Sequence, residues 1–219
     1  RVAAALLMSF ILLLAACGAP EPDGDQIDFS DPSGEQGITT AAQFRRLLEE
    51  GNADTVSLNA SIDLGEDMLR LDAEGTSLTI YGNGFTISGN GDCVIRLANG
   101  CKLTLKNITL NGGANAVGCL GDATLAGEAT VKAVANALYA MGNVSIGEES
   151  RFYFSSNVGS GVKAGGLTLG KGARVFAQGA LGGVAVTRSD LVLNENSVLD
   201  ANTAKNYNAL KCEGTLVMR

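Results

Sequence analysis

The 219-residue sequence contains no histidine and no tryptophan, and it has only four tyrosines and seven phenylalanines. Without histidine, imidazole cannot serve as a general base or as a metal ligand, so histidine-dependent hydrolases and the common zinc sites are excluded. No C-x-x-C pair occurs either, which removes the usual thiolate spacing of metal sites. We therefore predict a protein without metal and without cofactor.

The chain also lacks an apolar run long enough to span a bilayer as a helix. Val2 to Ala16 is apolar except for Ser9, but these fifteen residues fall short of the roughly 20 that a spanning helix needs. The run has the length of the hydrophobic region of a secretory signal. It ends in Leu14-Ala15-Ala16-Cys17, which resembles the lipobox of bacterial lipoprotein precursors.

The lipobox resemblance implies that residues 1–16 are a signal peptide and that Cys17 carries lipid. The protein would then be extracytoplasmic and tethered to the cell membrane or cell surface, with the membrane as a partner through the lipid. The alternative is an ordinary signal whose cleavage site happens to contain a cysteine.

Residues 17–36 contain all three prolines and six acidic residues but no Lys or Arg. Such a segment cannot bury enough apolar surface to fold, so we predict a flexible acidic linker. The whole chain has 16 basic and 23 acidic residues; since Arg1 and the six linker acids precede residue 37, residues 37–219 hold 15 basic and 17 acidic residues. This near-neutral region gives no electrostatic basis for binding nucleic acid.

The region after the linker begins with the pattern of a short helix. Thr40 and Gln43 have the spacing of a capping box, and Gly51 suits the left-handed position after a helix. The apolar residues between them share one helical face: Phe44, Leu47 and Leu48. We expect this helix to cover the N-terminal end of the domain.

Beyond the helix the apolar residues alternate with period two, and the pattern repeats every 20 to 25 residues. The repeats begin at Leu78, Leu103, Ala123, Val144, Leu167, Leu191 and Leu216. Each contains three short alternating runs separated by Gly, Asn, Ser or Asp, which predicts a solenoid. Coils stacked about 4.8 Å apart leave room inside for Val, Ile, Leu and Ala, but little for large rings.

This repeat pattern, over residues 55–219, resembles the pectate-lyase-like superfamily. The resemblance implies an all-β fold for domain 37–219: a right-handed single-stranded parallel β-helix with three strands per coil. A β-sandwich is the alternative, and the recurrence of the whole three-strand unit speaks against it. Thr215 to Arg219 begin another first strand, so we expect further coils or another domain after Arg219, and edge-to-edge association of the 219 residues alone.

Alternation assigns candidate binding residues to the outside of the second and third strands. The outward series of the second strand is Thr86, Thr109, Thr130, Tyr153, Phe176 and Leu199. Its last three members should form an exposed apolar stack, which is typical of a binding surface unless a loop or another domain covers it. The outward series of the third strand is Arg96, Cys119, Tyr139, Lys163, Ala185 and Lys211. Arg96, Lys163 and Lys211 would favour acidic glycans, with solubility as the alternative role.

Four cysteines remain besides Cys17, and they permit three disulfide pairing schemes. They are Cys93, Cys101, Cys119 and Cys212. We expect buried or idle thiols, with Cys212 pointing inward and Cys119 outward.

No repeat places two carboxylates, or a base beside a cluster of acids, on adjacent outward positions. We therefore predict a non-catalytic, surface-tethered protein that binds polysaccharide or cell-wall glycan, similar to carbohydrate-binding or adhesin-like β-helix lipoproteins. The candidate ligand-binding residues are Tyr153, Phe176, Leu199, Arg96, Tyr139, Lys163 and Lys211. Two alternatives remain: an adhesin or structural surface protein with a protein ligand, and a polysaccharide lyase or hydrolase whose active site lies in a missing C-terminal part.

Overall fold

The computed structural model describes residues 37–50, 54–203 and 208–219. Parallel strands stack as an all-β solenoid of about seven turns, with one short helix, which confirms the predicted fold class. The solenoid has three faces, and each turn contributes a strand to each of them. We call these the first, second and third face in chain order. The strands of the first and second faces form one 13-stranded sheet, and those of the third face form a seven-stranded sheet.

In the described residues, twenty strands build these faces. The first face contains β1 (Thr55–Ser57), β4 (Ser77–Tyr81), β7 (Cys101–Gly112), β9 (Ala123–Ala133), β11 (Asn143–Ile146), β14 (Gly166–Leu169), β17 (Leu191–Leu193) and β20 (Leu216–Met218). The second face contains β2 (Ile62–Asp63), β5 (Thr86–Gly89), β12 (Arg151–Ser156), β15 (Arg174–Gly179) and β18 (Val198–Thr203), together with the second halves of β7 and β9. The third face contains β3 (Leu69–Leu71), β6 (Cys93–Leu97), β8 (Asn115–Cys119), β10 (Asn136–Ala140), β13 (Ser160–Ala164), β16 (Gly182–Val186) and β19 (Leu210–Cys212).

The helix α1 (Ala41–Glu49) begins at the predicted capping box. The Thr40 hydroxyl accepts a hydrogen bond from the Gln43 N–H, and Gln43 Oε1 accepts one from the Thr40 N–H at 3.1 Å. Phe44 is fully buried, and Leu47 and Leu48 pack against the core, so the helix covers the N-terminal coil. The predicted role of Gly51 lies outside the described residues. None of the described helical residues form a segment long and apolar enough to cross a bilayer.

Inward-facing aliphatic residues fill the solenoid, but two phenylalanines also lie inside, although we expected the coils to leave little room for large rings. Phe152 and Phe154 are buried, with ring centroids 5.4 Å apart. Alanines in the neighbouring coils make the space, because Ala129 is in register with Phe152 and Ala177 with Phe154. The volume of each large ring is thus offset by a small residue in the next coil.

The corner between the first and second faces is a bulge in the middle coils. Asn107 has a φ of 50° and is the extra residue of the bulge in β7. Gly127 of β9 has a φ of 93°, and a Cβ there would collide with the Leu105 carbonyl oxygen, so glycine is required. Before the bulge, Leu103 pairs with Leu125, whereas the repeat pattern aligned it with Ala123.

The corner between the second and third faces is held by an asparagine stack. Asn136 Nδ2 donates to Asn115 Oδ1 at 3.0 Å, and Asn136 Oδ1 accepts from the Ser160 N–H at 3.2 Å. The stack fixes the register of β8, so that Gly118 lies beside Arg96 and Cys119 beside Leu97. The prediction that Cys119 points outward is therefore wrong: its side chain faces the interior and is 1% exposed.

Candidate functional site

Three columns of outward-facing residues run along the second face, at right angles to its strands. Neighbours within a column come from successive coils, about 4.8 Å apart. The first column contains Glu128, Arg151, Arg174 and Val198; the middle column contains Thr86, Thr109, Thr130, Tyr153, Phe176 and Asp200; the last contains Ser88, Asn111, Lys132, Ser155, Gln178 and Asn202.

An aromatic pair stands in the middle column. The rings of Tyr153 and Phe176 are stacked with centroids 4.6 Å apart and an angle of 5° between their planes. Such a pair adds about 0.5–1.5 kcal/mol beyond the area it buries, and Tyr153 remains 38% exposed. Since each ring covers one face of the other, a ligand meets their outward edges and their two remaining faces. Thr130 is the neighbour of Tyr153 on one side, and Asp200 is the neighbour of Phe176 on the other.

Leu199 does not belong to this stack, so its predicted outward position is wrong. The turns before β15 and β18 have equal length, which keeps the offset at 24 residues and places Leu199 beside Val175. Leu199 therefore points inward and packs against the core, while Asp200 takes the outward position. A one-residue error in register exchanges the two faces of a strand.

An open groove of about 380 Å³ runs beside the aromatic pair. It extends along the solenoid axis from the Gly84 turn to Val198 and crosses six coils. At the spacing of parallel strands, this corresponds to a length of roughly 24 Å. The small side chains of Thr109 and Thr130 form its floor in the coils where the middle column lacks rings. A groove of this shape, along the axis of a solenoid, fits an extended chain better than a compact small molecule.

Four charged residues line the groove: Glu128, Arg151, Arg174 and Asp200. Arg151 is in register with both Glu128 and Arg174. The five ion pairs among the described residues involve other cations, namely Arg45, Arg46, Arg96, Lys171 and Lys211. Arg151 and Arg174 are both exposed, so the groove presents two guanidinium groups next to the aromatic pair.

Comparison with family models shows which protein family this solenoid belongs to. Residues 35–154 match the model of the pectate lyase-like adhesive domain, which covers more than half of the chain. The chain belongs to this family of adhesive domains. The match indicates a surface adhesive or binding role, and with it a surface or extracellular location. Neither the curated proteins nor the solved structures contain a match to the chain.

In this adhesive domain the matched region ends within the groove. Arg151 and Tyr153 lie inside the match, whereas Arg174 and Phe176 belong to the next coil, beyond residue 154. The candidate site is therefore built partly from residues outside the region that shows the family.

The third face of the adhesive domain carries the other predicted binding residues, but its cations are mostly engaged. Arg96 Nη2 lies 3.1 Å from Asp72 Oδ1, and Lys211 Nζ lies 2.7 Å from Glu213 Oε1. Lys163 Nζ lies 5.7 Å from the centre of the Tyr139 ring, within the range of a cation–π contact. Gly118 and Ala185 flank this pair in register, so the predicted column is interrupted. The ligand-binding role of these residues stays a prediction.

The four described cysteines are free thiols; Cys93, Cys101 and Cys119 are buried and Cys212 is half-buried. Burial raises the pKa of the Cys119 thiol to about 12, with smaller contributions from Cys93 and Cys101. Burial also raises the pKa of Cys93, as does Asp92, while Arg96 lowers it. A thiol with a raised pKa is a poor nucleophile, so Cys93 and Cys119 act as small apolar residues of the core.

Sequence reasoning missed Arg151 and Arg174. It followed one outward residue per strand, whereas six-residue strands such as β12 and β15 present three. The sequence does contain a signal for these arginines. The segments Arg-Phe-Tyr-Phe and Arg-Val-Phe-Ala each begin with an arginine two residues before the outward aromatic residue, and the two arginines are 23 residues apart. The lipidation prediction for Cys17 falls outside the described residues. Within the described part of the chain, no three acidic, cysteine or histidine residues are grouped to hold a metal ion.

Proposed function

We propose that this adhesive domain binds polysaccharide in the groove of the second face without cleaving it. The observation that carries the proposal is the stacked Tyr153–Phe176 pair on the wall of an axial groove that crosses six coils. Sugar rings pack on aromatic side chains through their apolar faces, and the Tyr153 face next to Thr130 is flanked by only a small side chain. The length of the groove suits several successive units of a linear polymer.

The positions of the groove carboxylates support binding rather than hydrolysis. Glu128 and Asp200 are three coils apart along the axis, which corresponds to roughly 14 Å between their strands. Glycoside hydrolases hold their two carboxyl groups about 5–9.5 Å apart. The chain also has no histidine to act as a base.

A glycan array with the 219-residue chain in mild detergent tests this function. We expect binding to at least one polysaccharide. The double variant Tyr153→Ala/Phe176→Ala should bind it with at least tenfold lower affinity, with little change in thermal stability because both side chains face outward. Tyr81→Ala is the matched control, since it removes an aromatic side chain from the first face, away from every candidate binding residue. Intact binding in the double variant would exclude the aromatic pair as the site.

We further propose that lipid on Cys17 tethers the domain to the membrane, as the lipobox Leu14-Ala15-Ala16-Cys17 supports. Cys17→Ser should release the protein from the membrane fraction or leave it unprocessed, because the lipobox position then has no thiol to be acylated. Fractionation and mass spectrometry measure both effects. Unchanged membrane association and mass in the variant would contradict the tether.

A protein ligand is the second candidate, and an apolar ridge at the corner of the second and third faces favours it. Val134, Val158 and Leu181 are 51%, 56% and 52% exposed. They lie in successive turns, since the Val158 N–H donates to the Val134 carbonyl and the Leu181 N–H to that of Gly159. If no glycan on the array binds the protein, adhesion tests this candidate. Beads coated with the Val158→Ser/Leu181→Ser variant should adhere to a protein-coated surface less than beads coated with the wild-type protein.

A further inference from the structure

Two arginines on the second face are paired in a way that β-sheets normally avoid. Arg151 and Arg174 are directly in register in adjacent parallel strands, and like charges in such positions repel each other. Neither forms an ion pair within the described part of the chain. Where the chain places two arginines in register elsewhere, Arg70 and Arg96, Asp72 neutralises one of them.

The position of the pair indicates what would neutralise it. Both arginines line the groove, and each is two residues before an outward aromatic residue of its own strand, on the same side of the sheet. A sugar ring held at Tyr153 and Phe176 therefore has its substituents within reach of two guanidinium groups. The planar fork of arginine matches a carboxylate, on which it makes paired charge-assisted hydrogen bonds.

The other two charges of the groove restrict where an anion can lie. Glu128 precedes Arg151 in the first column, and Asp200 follows Phe176 in the middle column. Both carboxylates repel an anionic group at their own coil, so the favourable position lies between them, at the coils of Arg151 and Arg174. The two guanidinium groups, one coil spacing apart, are placed to converge on a single carboxylate.

We propose that Arg151 and Arg174 bind a carboxylate of the polysaccharide, so that the ligand of the groove is a polymer containing uronic acids. This inference rests on the proposed function and narrows its ligand class. It assigns two tasks within one site: the aromatic pair holds the sugar ring, and the arginine pair selects the acidic sugar over its neutral analogue.

Affinity electrophoresis of the 219-residue chain in detergent tests the proposal with alginate, hyaluronan and polygalacturonate, each compared with its carboxyl-reduced form. We expect at least one acidic polymer to retard the protein, and its reduced form to lose at least tenfold in affinity. The double variant Arg151→Gln/Arg174→Gln should bind the acidic polymer with at least tenfold lower affinity than the wild type. Arg151→Lys/Arg174→Lys should lie between this variant and the wild type, because lysine keeps the charge but not the fork.

The matched control is Lys102→Gln/Arg188→Gln, which removes two exposed cations that lie outside the groove and outside the three columns of the second face. We expect less than a twofold change in this control, and unchanged thermal unfolding in all three double variants. An equal loss in the control, or equal retardation by dextran sulfate, would mean that net charge and not the arginine pair governs binding, and would overturn the proposal.

The outcomes separate this inference from the proposed function. If the reduced polymers bind as tightly as the acidic ones and Tyr153→Ala/Phe176→Ala abolishes both, the carboxylate inference is wrong and polysaccharide binding stands. If no polymer, acidic or reduced, retards the protein and the glycan array is silent, both are wrong.

Discussion

The second and third faces of the solenoid contain similar residues, an aromatic side chain with arginine or lysine nearby, but they differ in width. Each six-residue strand of the second face presents three outward columns, as Arg151, Tyr153 and Ser155 show. On the third face, the five-residue strands turn most side chains inward, and Tyr139 and Lys163 are the main outward residues of β10 and β13. Strand length therefore decides how many groups can contact one ligand.

The two faces also differ in how their charges are balanced. Carboxylates of the same region engage Arg96 and Lys211 on the third face, whereas the arginines of the second face have no such partner among the described residues. A cation that is paired within the protein is less available to a ligand, because the ligand must compete with the internal partner. Under the proposed function, a column of cations forms a binding site only where the fold leaves those cations unpaired and beside a contact surface.

The largest expected effect separates the two sides of the second face. Phe154→Ala should lower the free energy of unfolding by about 3–5 kcal/mol, because Phe154 is fully buried. Tyr153→Ala, one residue away and facing outward, should cost about 0.5–1.5 kcal/mol, which is the contribution of its stacking on Phe176. Urea unfolding followed by circular dichroism measures both. Similar losses in the two variants would contradict the assignment of inside and outside on β12.

The sequence was sufficient to predict the fold because period-two alternation and a repeat of 20 to 25 residues leave few alternatives. The helix was predictable as well, since its capping box consists of local hydrogen bonds between Thr40 and Gln43. Register was harder to predict. A count from the first apolar residue of each repeat does not detect the bulge at Asn107, and it aligned Leu103 with Ala123.

Errors in register had different consequences for the site, depending on their size. The shift of two residues at Ala123 left every side chain on its predicted face, whereas the shifts of one residue at Leu199 and Cys119 turned each side chain from outside to inside. Tyr153 and Phe176 were placed correctly, since an unbroken 23-residue offset connects their strands. That the two rings cover one face of each other depends on side-chain rotation, which alternation along the strand does not determine.

A smaller effect is expected beneath the third face, whose strands contain Cys93, Cys119 and Cys212. Burial raises the pKa of Cys119 from 9.0 to about 12, so the folded protein keeps a proton that the unfolded chain releases. The stability from this group is therefore complete below about pH 9 and is lost as the pH rises toward 12. Between pH 8 and pH 10.5 we expect a decline of about 2 kcal/mol in the free energy of unfolding from this group.

Urea unfolding of wild type and Cys119→Ala at both pH values measures this effect. The variant should be less stable at pH 8 because it loses buried volume, but its stability should decline less between the two pH values. The raised pKa of Cys93 leaves a residual decline in both proteins. Parallel pH dependences would show that Cys119 does not titrate between the folded and unfolded states as proposed.

The smallest effect concerns whether a free arginine pair is enough to make a binding site. Asp72→Asn removes the carboxylate that engages Arg96, and it leaves Arg96 in register with Arg70, as Arg151 is with Arg174. The new pair has no stacked aromatic residues beside it, since the next position in register with Arg96 is Gly118. In the Arg151→Gln/Arg174→Gln background, we expect Asp72→Asn to raise affinity for the acidic polymer only about twofold, and only at low salt because the pair is exposed.

Glu74→Gln is the control for Asp72→Asn, because it removes the same charge from an exposed side chain without releasing an arginine. A tenfold gain in Asp72→Asn, comparable to the contribution of the second face, would show that unpaired arginines alone suffice and that the aromatic pair and the width of the face add little. An equal twofold gain in Glu74→Gln would attribute the effect to net charge. A gain confined to Asp72→Asn and abolished by salt would show that freeing the cation is necessary, while the contact surface supplies most of the affinity.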